Sequence, residues 1–329
     1  MKYLDPLPAF GFEYGMAGLE RIRSTRTRPS WQPFSFFLAT FLPVSLALAH
    51  PGAGIVVDSQ GQIFFADTGA GVWRIDLRGE LARVPGPAYH WMTIDLAGRF
   101  TQERLSQVPR GGISVTGTNP TLILSGDFPM TVGPDGAFYF PEAGRDDRVR
   151  IMRLTDSGKR TLFALLPVAT EIGPDGKTVK AQWIHGLAAG PDRSLYYTER
   201  HSVRRIAPDG TVSLVAGDIK APGCVRPPAA NDERLEPSLR GLAVTPDGTI
   251  YVAASACSAL LKITKEGNVF VVLRGSDAWS PTGVAIFRED LFVLEYRHVE
   301  TDRREDWFPR VRKISRDGKV AVLATVSQR

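Results

Sequence analysis

Residues 241–252 read GLAVTPDGTIYV: a small-apolar run, a Pro-Asp-Gly turn, then an aromatic-containing run. The phrase returns as GLAAGPDRSLYYTE at 186–199, MTVGPDGAFYF at 130–140, GIVVDSQGQIFFADT at 54–68 and PTGVAIFREDLFVLEY at 281–296. A degenerate sixth copy, WMTIDLAGRF, occupies 91–100. Every copy but this one is followed by two further short runs about a second turn, as in SVRRIAPDGTVSLVAG at 202–217. Four short strands repeated at roughly forty to fifty residues are the grammar of a propeller. The six units predict an all-β fold, a six-bladed β-propeller of four-stranded antiparallel blades at about 52–86, 88–126, 128–168, 184–217, 239–275 and 281–326.

The pairs Gln60-Gly61, Asp135-Gly136, Asp209-Gly210, Asp247-Gly248 and Asp317-Gly318 read as two-residue hairpin turns with glycine at positive φ. The closing run KVAVLATV reads as the fourth strand of the last blade, and the first blade begins with its own inner strand. The two blades are therefore expected to exchange no strand, and the ring to close by side-chain packing. Segments 168–183 and 218–238 are long insertions between blades, the places where a rigid scaffold usually carries specificity.

The 329 residues are 43% hydrophobic, ample for one buried all-β domain. The net charge of +5 includes a leader, residues 1–49, with five basic and three acidic residues. The remainder holds 35 basic and 32 acidic residues, a net charge of +3. With no Lys/Arg block interleaved with aromatics, nucleic acid is excluded as a partner. Arginines between Arg21 and Arg28 precede the apolar run FSFFLATFLPVSLALA over 34–49, which ends in a small-x-small pattern. This reads as an export signal cleaved after Ala49, giving a periplasmic or extracellular chain that begins at His50. The alternative is an uncleaved membrane anchor over 34–49, and either Met1 or Met16 serves as the start. The two cysteines, Cys224 and Cys257, fall in loops at one face, and export permits a disulfide between them.

Aligning the copies places Ala53, His90, Phe128, His185, Arg240 and Thr282 around the mouth of the central channel. The returning strands end in Asp67, Arg104, Glu142, Glu199, Ala254 and Glu295, an outer and largely acidic ring on the same face. All five histidines, His50, His90, His185, His201 and His298, map to this face. Imidazoles and carboxylates converging on a concave mouth suit metal binding or acid–base chemistry. No phosphate-binding glycine loop is present, so neither nucleotide nor flavin is expected.

The repeated phrase, with the K-I and G-x-V-x-x-L runs that follow it, resembles the NHL repeat and the gluconolactonase/regucalcin-like propellers over residues 52–326. The GPDG-aromatic wording at 133–142 and 190–199 resembles the streptogramin B lyases. The first resemblance implies a divalent cation among oxygen ligands, but the aligned positions hold His185 and Arg240, which do not make a hard calcium site. Resemblance to the peptide-amidating lyases implies zinc on histidines, matched by His90 and His185 with His50 or His298 as third ligand. The lyase pattern Glu-x-His is matched by Glu199-Arg200-His201.

Two functions fit this face. One is a metal-assisted hydrolase or lyase for a small polar lactone, ester or related substrate. Its divalent ion, zinc rather than calcium, would be held by His90 and His185 with Glu142, Glu295, His298 or His50. Glu199 and His201 would move protons, and Arg240 would neutralise an oxyanion or a substrate carboxylate. Trp91, Phe128, Trp183, Trp279 and Thr282 would wall the pocket. The other is a non-catalytic propeller, expected to be monomeric, that binds a ligand, a glycan or a protein partner through the same surface.

Overall fold

Asp247 shows why each repeat reverses where it does. In the computed structural model its carboxylate accepts the Thr249 amide at 3.2 Å, and Gly248 takes a φ of +85°. Thr245 and Thr249 then close the hairpin through their backbones. The loop holds Pro246, Asp247 and Gly248, one residue more than expected. Proline favours the first corner of a type I turn, and glycine fills the left-handed position of the bulge that follows. The same closure recurs at Gly61, Gly136, Gly210 and Gly318.

The structure describes residues 51–327 except 69, 88, 109–111, 119, 145, 147, 173–177, 182–183, 225–236, 277 and 298–306. These turns string together six antiparallel blades around an axis. The innermost strands are Ile55–Val57, Trp91–Asp95, Thr131–Val132, Gly186–Ala189, Leu239–Val244 and Trp279–Phe287. Blades one, three, four, five and six each have four strands in simple chain order. The second blade departs from that plan, pairing its inner strand directly with Thr121–Gly126, outside which lies Ile113–Thr118. The residues expected as its second strand form a short helix, Gln102–Leu105, capped by the Thr101 hydroxyl on the Arg104 amide at 3.4 Å. Arg104 therefore closes no returning strand, and that place in the outer ring is lost. The degenerate copy lacks the β-branched and aromatic run that holds a strand in the others. The insertion between blades three and four forms its own hairpin, Ala169–Ile172 with Thr178–Ala181.

First and last blades keep their own strands. Tyr296 of blade six is buried among Phe65, Leu294 and Val311, and its hydroxyl donates to the Ala66 carbonyl of blade one at 2.6 Å. The small residues of the repeated phrase serve close approach at the axis. A Cβ on Gly241 would sit 2.9 Å from the Gly283 Cα, and one on Gly283 would overlap the Ala53 carbonyl. Inner strands packed this tightly leave room for a side chain only where they begin, and the channel mouth lies there.

Cys224 and Cys257 form a disulfide across a sequence separation of 33, tying the insertion before blade five to the turn Ser255–Cys257 within that blade. Closing a loop of that length removes about 3–4 kcal/mol of unfolded-chain entropy. Reduction is expected to lower unfolding stability by that order in urea titrations with and without dithiothreitol. An unchanged midpoint would show the cross-link to be idle.

Candidate functional site

Where the inner strands begin, a cavity of about 320 Å³ opens at the axis. Ala53, His90, His185 and Arg240 line it, four of the six residues expected at the mouth. Pro51, Trp91 and Asp127 complete the wall. Two hydrogen bonds that skip a blade shape it. Trp91 Nε1 of blade two donates to the His185 carbonyl of blade four at 3.0 Å. Arg240 of blade five donates through Nη1 to the Pro51 carbonyl, just before blade one, also at 3.0 Å. The residues of the skipped blades turn away. Phe128 is buried in the apolar core, its ring 6.1 Å from that of Phe140. Thr282 is fully buried, with its hydroxyl 3.5 Å from the Leu294 carbonyl.

Arg240 is enclosed by protein yet keeps surface towards the cavity. Burial pulls its pKa down from the ordinary value, but a guanidinium remains charged at any physiological pH. Among the described residues no carboxylate pairs with it, and its one hydrogen bond goes to the neutral Pro51 carbonyl. Beside it, burial and then the charges of Arg240 and Arg200 push the His185 pKa down to about 4, against a weaker opposing pull from Glu199. His185 is thus a neutral imidazole at pH 7. Across the cavity, His90 Nδ1 lies 2.9 Å from the Asp127 carboxylate. A carboxylate at Nδ1 holds the proton there and makes Nε2 the basic atom of the neutral ring.

Its structural neighbours are lyase, regucalcin and gluconolactonase propellers. Virginiamycin B lyase from Staphylococcus aureus is 17% identical, with 83% of each chain covered and a TM-score of 0.45. A calcium-binding regucalcin from Agrobacterium tumefaciens is 14% identical over 74% of this chain and 81% of its own, with a TM-score of 0.45. A putative gluconolactonase is 15% identical over 85% and 81%, with a TM-score of 0.39. No protein-family model matches the chain, and no curated protein does. At these identities the likeness concerns the fold alone.

The three glutamates of the outer ring are taken up in ion pairs. Glu199 accepts from the Ser202 hydroxyl and from Arg204 Nε, the latter at 2.9 Å. Glu142 pairs with Arg160. Glu295 is fully buried between Arg310, at 2.6 Å, and Arg312. Trp279 lies under the Arg310 guanidinium, 4.2 Å from it, and does not line the cavity. His201 does not line it either; its backbone carbonyl accepts the Ile219 amide at 2.9 Å. Neither Glu199 nor His201 lines the cavity, although Glu199 lies near enough to His185 for its charge to act on the imidazole. His50, Trp183 and His298 fall outside the described residues. Asp127 was not legible as a site residue, because the repeat alignment points to its neighbour Phe128. Its place in the link between blades two and three, at the mouth face, was the available signal.

The described residues do not fit a divalent cation. No group of three His, Cys, Asp or Glu gathers among them, and the glutamates named as ligands, Glu142 and Glu295, are held by arginines. His90 and His185 share the cavity with a guanidinium that no carboxylate among the described residues neutralises. The positive charges that add to burial in keeping His185 unprotonated also oppose a dication.

The depressed pKa of His185 has a sign that can be checked. The folded form stays neutral below the unfolded value of 6.5, whereas the unfolded chain takes up a proton. Stability is therefore full above pH 6.5 and falls as pH drops towards about 4, by about 3 kcal/mol. In urea unfolding followed between pH 7 and 4, His185→Gln should flatten the slope by that contribution. Parallel slopes in variant and wild type would refute it.

Proposed function

We propose that the channel mouth binds a small polar substrate through its carboxylate, held by Arg240, in an exported propeller with hydrolase or lyase chemistry. Arg240 carries this reading. A buried cation facing an open cavity with no carboxylate partner among the described residues is a receptor for an anion, since leaving its donors unmet is costly. The planar fork of the guanidinium matches a carboxylate in two parallel bonds. His90 with Asp127 supplies a proton acceptor with a set tautomer, and neutral His185 supplies a second imidazole on the same wall. Proton transfer beside a clamped anion is what hydrolysis of an ester or lactone, or elimination next to a carboxylate, requires. Trp91 offers an indole face for the rest of the molecule. The disulfide supports export, because such bonds persist in oxidising compartments. No helix among the described residues is long and apolar enough to cross a membrane.

Calorimetric titration with a panel of small hydroxy and keto acids, each beside its methyl ester or amide, tests the reading. A free acid that binds while its neutral counterpart does not is the expected result. Equal binding of the neutral counterpart would overturn the anion assignment. Product analysis of lactone and ester members by mass spectrometry separates turnover from binding alone.

A further inference from the structure

Blade two ends at its third strand where blade one continues to a fourth, and a cleft of about 600 Å³ lies between their outer halves. The apolar layer joining these blades is thin, consisting of Val56, Phe64, Ala66, Val72, Met92 and Ile123 with little beyond them. Two residues that line the cleft each carry a buried polar atom without a hydrogen-bond partner. One is Arg74 Nε, on the third strand of blade one, and the other is Thr116 Oγ1, on the outermost strand of blade two. Asp58 lies in the same cleft but does not answer Arg74. Its carboxylate already accepts the Gln60 and Gln62 amides at 2.9 and 2.8 Å and the Gln62 side chain at 2.9 Å. No carboxylate among the described residues pairs with Arg74.

Buried donors left unmet in this way are uncommon in native proteins and call for an occupant. The surrounding chemistry describes one. A guanidinium asks for a carboxylate, while Thr116, Thr121 and the Gln60 amide offer partners to hydroxyl groups. Phe64 and the adjoining prolines offer an apolar wall to the C–H face of a ring. The volume falls within the range of small-ligand sites, roughly 300–1,000 Å³.

We propose that the cleft between blades one and two is a second ligand site, separate from the mouth, for a small polyhydroxylated carboxylate of the uronic acid type. The carboxylate sits on Arg74, and the ring hydroxyls bond Thr116 and the neighbouring amide. This site does not depend on the reading of the mouth, and the test keeps the two apart.

Ligand-observed NMR titration with D-glucuronate, and with D-glucose as the neutral control, is carried out on Arg240→Gln, whose mouth has lost its cation. Glucuronate binding should persist in that variant and weaken about tenfold or more when Arg74→Gln is added. Glucose should not bind measurably. Thermal melts establish that each variant is folded; should Arg74→Gln unfold, Thr116→Val in the same background carries the test with a smaller loss of affinity. Absence of glucuronate binding in Arg240→Gln overturns the proposal. So does binding indifferent to both cleft substitutions, or glucose binding as well as glucuronate.

Discussion

Arg240→Gln is expected to weaken binding of a small carboxylate at the mouth by roughly 100-fold, equivalent to about 3 kcal/mol. Glutamine keeps a donor for the Pro51 carbonyl and much of the side-chain volume, so the loss reads the charge rather than a collapsed wall. The magnitude follows from burial. A guanidinium screened by water contributes little to holding an anion, whereas one enclosed by protein acts through a lower dielectric. The same substitution removes the largest charge depressing the His185 pKa, which should rise from about 4 towards its ordinary value without reaching it, because burial remains. NMR titration of the His185 ring protons reports this directly. Unchanged affinity together with an unmoved His185 would remove Arg240 from the site.

Glu295→Ala is expected to cost about 3–5 kcal/mol of folding stability, the largest such loss predicted for this chain. The carboxylate is fully buried, and the side chains of Arg310 and Arg312 are only 11% and 10% exposed. Removing it leaves two guanidinium groups in the protein interior without their counter-charge. The Arg310 group also lies over the Trp279 ring, and Arg312 also donates to the Arg274 carbonyl at 2.9 Å. Both side chains are thus held in place and cannot swing into water to escape. Urea unfolding gives the number. A loss below about 1 kcal/mol would show that the pair is solvated and Glu295 free for another role.

The contrast between Arg240 and Glu295 marks how far the sequence could be read. The repeated phrase, its Asp-Gly turns and its spacing were enough for six blades, since turn chemistry and period-two burial are local and act within a few residues. Counting from those turns also placed His90, His185 and Arg240 together, although they lie far apart in the chain. The second blade escaped this reading. Its helix at Gln102–Leu105 and the direct pairing of Trp91–Asp95 with Thr121–Gly126 depend on which segment reaches the inner strand first, a non-local competition.

The inward or outward aim of each acidic residue was likewise invisible. Glu142, Glu199 and Glu295 carry the same spacing that would suit metal ligands. Each is taken up by an arginine of its own blade, Glu199 and Glu295 by one on the adjacent strand and Glu142 by one two strands away. Cross-strand pairing depends on register and twist, which are settled only when the sheet forms. Asp127 joined the site for the converse reason: a bend in the link between blades two and three carried it to His90, where the repeat had pointed to Phe128. By itself, then, the sequence determined the propeller and which residues begin its inner strands, because both follow from short-range pattern. Only the tertiary structure decided which charges neutralise one another and which stays open at the mouth, because a charge is available only after every neighbour has found its partner.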